Sequence, residues 1–376
     1  MVLPSVLSTP LQSLLGGLGV ALSAHELLIL NGSVFGISGF VNRAAKGNRE
    51  ALAGVLGLIA GGALVSFANG SNAPARLSIS LCKAIISGFL VGVGTKLSNG
   101  CTSGHMICGL SRLSTRSFTA SATFFTTAVV TANSLYRRDS HLPEIVGSDW
   151  TLPPTSAILV CMQLAVLPAL GLVYHSARRV TPQPVSDNSD NKTESSAHTP
   201  LLRTSSATNN LTLLRLCASF LTSLQFSLAL SLSGLSQATR VLGFLLFPQR
   251  FILPNLPTFS NSFNINRFDP SLFFVAITAV PLGILLYRFA RRCGDKREHA
   301  VLGGAEKWAI PPPNGKVDMK LIIGSAIFGV GWGVAGICPG PGLINLGATI
   351  ATKGVGFPPI ATWLSAMIVG GYLTTL

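Results

Sequence analysis

The chain has 376 residues, of which 48% are hydrophobic and 11% are charged, and its mean hydropathy is +0.53. A soluble domain typically carries about 25% charged residues, so this composition excludes an ordinary soluble globular enzyme. The formal net charge is +14. In a soluble protein this charge would suggest a nucleic-acid partner. In a membrane protein the distribution of Lys and Arg between the two faces indicates the orientation instead, and we predict no nucleic-acid partner.

Nine segments are long and apolar enough to predict membrane-spanning helices of about 20 residues each. In chain order they are Leu11–Leu30, Ala51–Ala68, Leu77–Leu97, Ser117–Leu135, Thr155–Tyr174, Leu211–Ser231, Ser271–Phe289, Leu321–Gly336 and Phe357–Leu376. Two further apolar segments, Thr102–Leu113 and Gly340–Thr352, are too short to cross and are interpreted as re-entrant, shielded by protein or by a watery cavity. The predicted fold is an all-α polytopic membrane protein.

The segment 176–210 interrupts the apolar pattern with many Ser, Thr, Asn and Pro residues and predicts a disordered linker. It separates a first membrane half, residues 1–175 with five spans, from a second half, residues 211–376 with four. Most Lys and Arg residues outside the spans fall on the same face as this linker. The positive-inside rule then predicts a cytosolic linker and C-terminus and an outside N-terminus, with the plasma membrane as the default location.

The chain repeats itself at an offset of 237 residues. KAIISGFLVGVGTKLSNGC at 83–101 matches KLIIGSAIFGVGWGVAGIC at 320–338 in its Lys, paired Ile, GVG and Cys positions. Chance similarity between Gly-rich apolar helices is the alternative explanation. Equivalent spans are five spans apart, an odd number, so the two halves are predicted to lie in opposite orientations, as in many transporters with inverted repeats.

The strongest local pattern, NGCTSGHMICGLSR at 99–112, lies where the third span should break, and GICPGPG at 336–342 is its counterpart. Gly and Pro let the chain leave a helix, and Thr102, Ser103 or a proline can begin a new one. Each short helix would direct backbone N–H groups and its positive end to the midplane, which favours an anion. The predicted substrate-binding residues are Cys101, Thr102, Ser103, Gly104, His105, Cys108, Cys338, Gly340 and Gly342.

Some cysteines and His105 also have a purely structural interpretation. A lone buried cysteine usually acts as a small apolar filler, and that interpretation applies to Cys82, Cys161, Cys217 and Cys293. Cys108 stays undecided between a role in passing the ion along and simple packing. His105 stays undecided between a donor to the anion and a histidine whose partners lie within the fold.

Three lysines are candidates for electrostatic attraction of an anion. Lys83 and Lys320 begin equivalent spans and are predicted to lie at opposite faces, where they either attract anions or merely extend to the interface. Lys96 lies within the third span, close to Cys101, and a charge at that depth is usually functional. No nucleotide-binding loop occurs in the sequence, so we predict neither direct ATP drive nor a cofactor, and no metal site.

Two segments, GCTSGHMICGLSRLSTRS and GVGWGVAGICPGPG, resemble the signature segments of the sulphur transport (YeeE/YedE) family of membrane proteins. LNGSVFGISG, LALSLSGLSQATRVLGFL and FDPSLFF resemble further family segments, so that the resemblance covers nearly the whole chain outside the linker. It implies two fused family halves and an hourglass of nine spans, with short helices entering from both faces.

The resemblance further implies uptake of thiosulfate or a related sulphur compound. It implies that Cys101 and Cys338, with Cys108 as a candidate, pass the ion along through S–H···S contacts. Some members use a further cysteine near the first span, which has no match here because Leu11–Val41 contains none. The number of relay steps is therefore left open.

Two functions compete at this point. The first is a non-enzymatic transporter of sulphur-containing anions, above all thiosulfate, in which a polarisable thiol holds the soft sulphur without trapping it. The alternative is a membrane sulphurtransferase or thiol oxidoreductase that forms a persulfide or mixed disulfide on Cys101 or Cys338. That chemistry needs an activated thiolate and usually a C-x-x-C pair, which the sequence lacks. The predicted partners are the sulphur oxyanion, the lipid bilayer and, as a candidate, a cytosolic sulphur-accepting protein.

Overall fold

The computed structural model describes residues 6–69, 79–136, 142, 144–180, 205–246, 267–293, 299–303, 308–311, 315–352 and 357–374. Most of these residues are helical. Two short strands, β1 (Val6–Ser8) and β2 (Ile145–Ser148), pair in parallel and were not predicted. The predicted all-α membrane fold is confirmed.

The helices follow one another along the chain with a π-helix, Ser103–Gly109, between the fourth and the fifth. They are α1 (Pro10–Asn31), α2 (Ile37–Ala45), α3 (Arg49–Ala68), α4 (Leu81–Leu97), α5 (Thr115–Tyr136), α6 (Pro154–Val180), α7 (Ser205–Leu232), α8 (Ala238–Leu245), α9 (Ser271–Cys293), α10 (Met319–Ala335), α11 (Pro339–Ala351) and α12 (Phe357–Leu373). Each of the nine predicted spans corresponds to one long helix. The π-helix and α11 occupy the two predicted re-entrant segments, whereas α2 and α8 were not anticipated.

Six stretches among the described residues are long and apolar enough to cross a bilayer by themselves. They comprise α1, α3, α6, α7, α9 and the stretch Met319–Ala351, which joins α10 to α11. The helices α4 and α12 have 17 residues each, at the lower end of the spanning range, and α5 is rich in Thr. These three predicted spans therefore rely on packing against neighbouring helices.

Helical structure extends into both ends of the predicted linker 176–210, which corrects its boundaries. Helix α6 continues to Val180, and α7 already begins at Ser205. The Arg178 guanidinium lies over the Tyr174 ring, 5.0 Å from its centroid, and this contact between residues four apart supports the last turns of α6. The remaining part of the predicted linker, residues 181–204, lies outside the described residues.

The two helices that carry the sequence repeat, α4 and α10, cross each other antiparallel. A Cβ atom at Gly94 would lie 2.6 Å from the Phe328 Cα, and a Cβ atom at Gly331 would lie 2.9 Å from the Val91 nitrogen. Positions 94 and 331 are equivalent in the repeat, and so are 91 and 328, so each contact is the image of the other. Such an exchange between antiparallel helices requires a two-fold axis perpendicular to them, as in an inverted repeat.

The same exchange relates the other large helix contacts. Helix α4 packs on α12 as α10 packs on α5, and α3 packs on α7 as α9 packs on α1. Helices α1 and α7 are also antiparallel, because the Ser13 hydroxyl donates to the Ser233 carbonyl at one end and the Asn31 side-chain amide donates to the Arg215 carbonyl at the other. The two halves thus form one interlocked bundle.

Glycines allow α3 and α11 to approach closely, and Gly62 is one of them. A Cβ atom at Gly62 would overlap the Ile344 carbonyl. We expect Gly62→Ala to lower the thermal midpoint of the detergent-solubilised protein, since overpacking costs about 1–3 kcal/mol. The matched control is Gly171→Ala in α6, where no described heavy atom lies within 4 Å of the added Cβ. That variant should keep or raise the midpoint, and equal midpoints for both variants would contradict the close approach.

Candidate functional site

Helices α4 and α10 are followed by the same backbone turn. Asn99 and Gly336 occupy equivalent positions in the repeat, and both have left-handed backbone angles, with φ of 56° and 67°. Glycine and asparagine are the residues that tolerate this conformation best. In both halves a cysteine follows two residues later, so the turn delivers the two thiols in equivalent surroundings.

Cys101 and Cys338 each stand at the start of a short helix. The Cys101 carbonyl accepts a hydrogen bond from the His105 N–H at 2.9 Å, and the Cys338 carbonyl accepts one from the Gly342 N–H at 3.0 Å. The π-helix follows the first cysteine, and α11 follows the second. Single π-helical turns are rare and occur frequently at functional sites. The two thiols therefore lie at helix N-termini, which carry partial positive charge.

Both cysteines line a single central cavity of about 350 Å³. The Thr102 hydroxyl donates to Cys338 Sγ at 3.4 Å, and Cys101 Sγ lies 3.2 Å from the Ser103 hydroxyl. Gly340 also lines the cavity, where a Cβ atom would lie 2.8 Å from Ile37 Cδ1. The structure thus brings five of the predicted site residues together, three from the first half and two from the second.

The rest of the central cavity has an almost entirely apolar wall. Its larger side chains include Met106, Phe118, Phe125, Phe226, Phe244 and Trp332. None of the described residues that line it is Lys, Arg, His, Asp or Glu. An ion in the cavity would therefore meet two thiols, a few hydroxyls and backbone N–H groups, and no charged side chain from this part of the structure.

Cys108 does not line the central cavity but a smaller one of about 40 Å³, together with His25 and Arg112. Its Sγ lies 3.7 Å from the Phe35 carbonyl, and the Arg112 Nε donates to the Cys108 carbonyl at 3.0 Å. The Ile107 side chain lines both cavities. Ile107 is the residue that the described linings of the two cavities share.

His105 is buried away from the lining of the central cavity. Its Nδ1 lies 3.2 Å from the Ser117 hydroxyl, and its Nε2 lies 3.2 Å from the Ser98 carbonyl. A Cβ atom at Gly100 would lie 2.6 Å from the same Nε2, so the ring packs tightly on the turn before Cys101. Both ring nitrogens thus have hydrogen-bond partners within the fold. This arrangement favours the structural interpretation of His105 over a contact with the anion.

Two predicted glycines also lie outside the lining of the central cavity. A Cβ atom at Gly342 would lie 2.8 Å from Trp363 Cζ3, so this glycine allows α11 to pack closely on α12. A Cβ atom at Gly104 would meet no described heavy atom within 4 Å. Neither position contributes to the described cavity wall, in contrast to the prediction from sequence.

The three candidate lysines lie outside the central cavity. Lys83 and Lys320 are exposed at the first turns of α4 and α10, and the antiparallel crossing of these helices puts them at opposite ends of the pair, as predicted. Lys83 Nζ lies 5.0 Å from the centroid of the Tyr136 ring. Lys96 lies in the last turn of α4. Their effect on an anion in the cavity would therefore be electrostatic attraction over a distance.

Helices α2 and α8 contribute walls that the sequence did not predict. The Ile37 N–H at the start of α2 donates to the Ser103 hydroxyl at 3.2 Å, which ties α2 to the π-helix. Val241 and Phe244 of α8 line the central cavity. The only signal for these helices was a weak match between VFG at 34–36 and VLG at 241–243.

Comparison with known proteins gives separate family matches for the beginning and the end of the chain. Residues 3–130 match the sulphur transport family, and residues 214–376 match a family of unknown function (DUF6691). A "Probable transporter" of Xylella fastidiosa (strain 9a5c) is 40% identical over 121 residues, which cover 32% of this chain and 90% of that protein. A protein of the same name from strain Temecula1 is 39% identical over 121 residues, with the same coverage.

A second "Probable transporter" of strain 9a5c is 29% identical over 161 residues, which cover 42% of this chain and 87% of that protein. No solved structure matches the chain. In each case less than half of this chain covers most of the relative's length. In length and in family matches the chain is similar to two shorter proteins joined together.

The position of His105 predicts a stability effect. In His105→Leu the Ser117 hydroxyl loses its ring partner, and the Ser98 carbonyl keeps only the Arg116 Nη2 donor at 3.5 Å. Lost hydrogen bonds to buried polar groups cost about 1–3 kcal/mol. We expect a lower thermal midpoint in detergent, with ion binding per folded molecule unchanged, and His105→Gln should recover part of the loss. A leucine variant with a normal midpoint but weakened binding of thiosulfate would contradict this assignment.

Proposed function

Because the chain belongs to the sulphur transport family of membrane proteins, we propose that it carries a sulphur-containing anion across the membrane through the central cavity, and that thiosulfate is its principal substrate. The observation that supports this most directly is the meeting of Cys101 and Cys338, one from each half, in one cavity. The family match and the names of the relatives support transport. The geometry of the two thiols supports the choice of ion.

Thiosulfate fits the donors of the central cavity because its two ends differ in chemistry. Its terminal sulphur is soft and polarisable, and a neutral thiol is a weak, polarisable donor that can contact it without trapping it. Its three oxygens are hard acceptors, which suit the hydroxyls and the backbone N–H groups at a helix start. A conducting site must release its ion, and weak donors without a charged side chain meet that condition.

The two helix starts do not offer the same number of donors. Pro339 and Pro341 have no N–H group, and the Gly342 N–H donates to the Cys338 carbonyl. In the first turn of α11 only the Gly340 N–H is outside the helical hydrogen bonds, and it lies at the Cys338 thiol. The π-helix begins at Ser103, and Thr102, Ser103 and Gly104 all carry an N–H group. We infer that the oxygens of the ion face the π-helix and that its sulphur is passed between the two thiols.

Cys108 is proposed as a later step of the same relay. Ile107 belongs to the linings of both its small cavity and the central one, and we infer that movement of this side chain connects them. The Arg112 guanidinium lies at the same small cavity, where it attracts the anion out of the uncharged centre. Cys108 thus offers a third thiol on a route from the centre toward the end of α1.

The alternative, a persulfide-forming enzyme, receives less support from the site. A thiolate nucleophile needs a nearby cation, base or second cysteine. The nearest imidazole, His105, is bonded to Ser117 and Ser98, and no Lys or Arg belongs to the described lining of the central cavity. Transport without chemical change to the ion is therefore the function that we propose. A cytosolic protein that accepts the sulphur stays a prediction.

The thiol relay predicts the effect of removing either central cysteine. Cys101→Ala and Cys338→Ala should each abolish uptake of ³⁵S-labelled thiosulfate in cells without their own carrier, because no soft donor remains at that step. Immunodetection in the membrane fraction checks that the variants are inserted. The matched control is Cys161→Ala, an exposed cysteine of α6, which should leave uptake nearly unchanged.

Uptake at the wild-type rate in both central variants would refute the relay. Mass spectrometry of the protein after exposure to thiosulfate separates the two functions. A persulfide trapped on Cys101 would favour the enzyme, whereas unmodified cysteines and unchanged thiosulfate inside the cell favour transport.

The surface lysines predict a dependence on ionic strength. Lys83→Gln or Lys320→Gln should weaken the apparent affinity for thiosulfate more at low salt than at high salt, because steering by exposed charges is screened over about 10 Å at 0.1 M. Initial uptake rates at several substrate and salt concentrations measure this. The same relative loss at every salt concentration would mean that these lysines do not steer the anion.

A further inference from the structure

A polar pocket of about 240 Å³ lies at the end of the bundle where α1 ends and α7 begins. Unlike the central cavity, it is lined by charged side chains, namely Arg43, Glu50 and Arg215, as well as by Asn31 and Asn48. This is the face predicted to be cytosolic. We call this site the polar pocket.

The polar pocket has an uneven charge. Arg215 forms an ion pair with Glu50, so these two side chains largely neutralise each other. The Arg43 guanidinium lies 5.4 Å from the centroid of the Phe40 ring. Glu50 is the only carboxylate among the described residues that line the pocket. Within that described lining, two arginines face one carboxylate, which leaves one positive charge in excess.

Asn31 adds an unused hydrogen-bond acceptor to the pocket. This residue is 6% exposed, and its Nδ2 donates to the Arg215 carbonyl at 3.0 Å and to the Ser219 hydroxyl at 2.8 Å. Its Oδ1 has no donor among the residues that the structure describes. A buried acceptor beside a polar space suits an ordered water molecule. The pocket thus offers a water molecule a hydrogen-bond acceptor close to the two arginines.

A row of three phenylalanine rings connects the wall of the polar pocket to the wall of the central cavity. Phe40 lines the pocket, and Phe226 lines the cavity. The buried Phe35 ring lies between them, edge to face with the first at 5.3 Å and stacked on the second at 4.2 Å, measured between centroids. The Phe35 carbonyl is also the partner of the Cys108 thiol. Phe35 thus contacts both walls and one of the thiols.

We propose that the polar pocket is a second binding site for the transported class of ion, an inorganic sulphur oxyanion held with water molecules by Arg43. The identity of the ion rests on the function proposed above. Glu50 keeps Arg215 occupied and repels the ion, so the site binds weakly and releases it to solvent. The three rings separate this hydrated site from the apolar thiol cavity.

The charges predict opposite effects for two neighbouring variants. In full-length protein in nanodiscs at low salt, Arg43→Gln should weaken sulfate binding about tenfold or more by titration calorimetry, because the excess charge is lost. Glu50→Gln should tighten it by a similar factor, because repulsion is removed and Arg215 is freed. Arg43→Lys should retain most of the binding. The matched control is Lys46→Gln, the same charge change on an exposed residue that follows α2, with little effect expected.

The same titrations in the double variant Cys101→Ala/Cys338→Ala separate this proposal from the thiol relay. Sulfate lacks the soft sulphur, so its binding to the polar pocket should persist there even if thiosulfate transport is lost. Failure of the relay would show in uptake alone, with the sulfate titrations unchanged. Absence of sulfate binding, equal effects of Arg43→Gln and Lys46→Gln, or weaker binding in Glu50→Gln would each overturn the proposal.

Discussion

The antiparallel crossing of α4 and α10 is the contact on which the site depends. Glycines at equivalent positions, Gly94 and Gly331, let the two backbones approach closely, and each helix then ends in the same left-handed turn. Since equivalent positions of the repeat meet at the crossing, the two turns deliver Cys101 and Cys338 to a common centre. Bulky residues at the crossing would separate the helices and with them the two thiols.

A bilayer imposes a second condition on this arrangement. Backbone that leaves the helix inside the membrane must find hydrogen-bond partners or a shielded space. The short helices supply this, because the carbonyls of both cysteines accept the first helical hydrogen bond and the Ser103 hydroxyl accepts the N–H of Ile37. The unusual features of the sequence, Gly, Pro, Ser and Thr around two cysteines, are therefore explained by a chain that has to break its helices in an apolar medium.

The sequence predicted the long helices well because hydropathy alone determines which segments enter a bilayer. It also predicted the meeting of the two halves, since an odd shift between repeats leaves few other arrangements. It failed for α2 and α8, whose apolar faces are too short to stand out, and it left His105 undecided between a donor to the anion and a structural histidine. Spacing along a helix does not reveal which way a ring turns, and only the contacts with Ser98 and Ser117 do so. The charged residues of the polar pocket come from α2, α3 and α7. They lie far apart in the sequence, so no single segment indicated this pocket.

The interlocking of the two halves has a consequence for how substrate moves. In carriers that rock between inward-open and outward-open states, the repeats separate along a sliding seam. Here the contacts between the halves include direct backbone contacts, such as Gly62 against Ile344 and Gly92 against Met367, and buried ring contacts such as Phe35 on Phe226. A large rotation of one half against the other would break these contacts, so we expect substrate to move by displacement of single side chains such as Ile107. We therefore expect the substrate to pass in a channel-like way, with small side-chain movements and little movement of the helices.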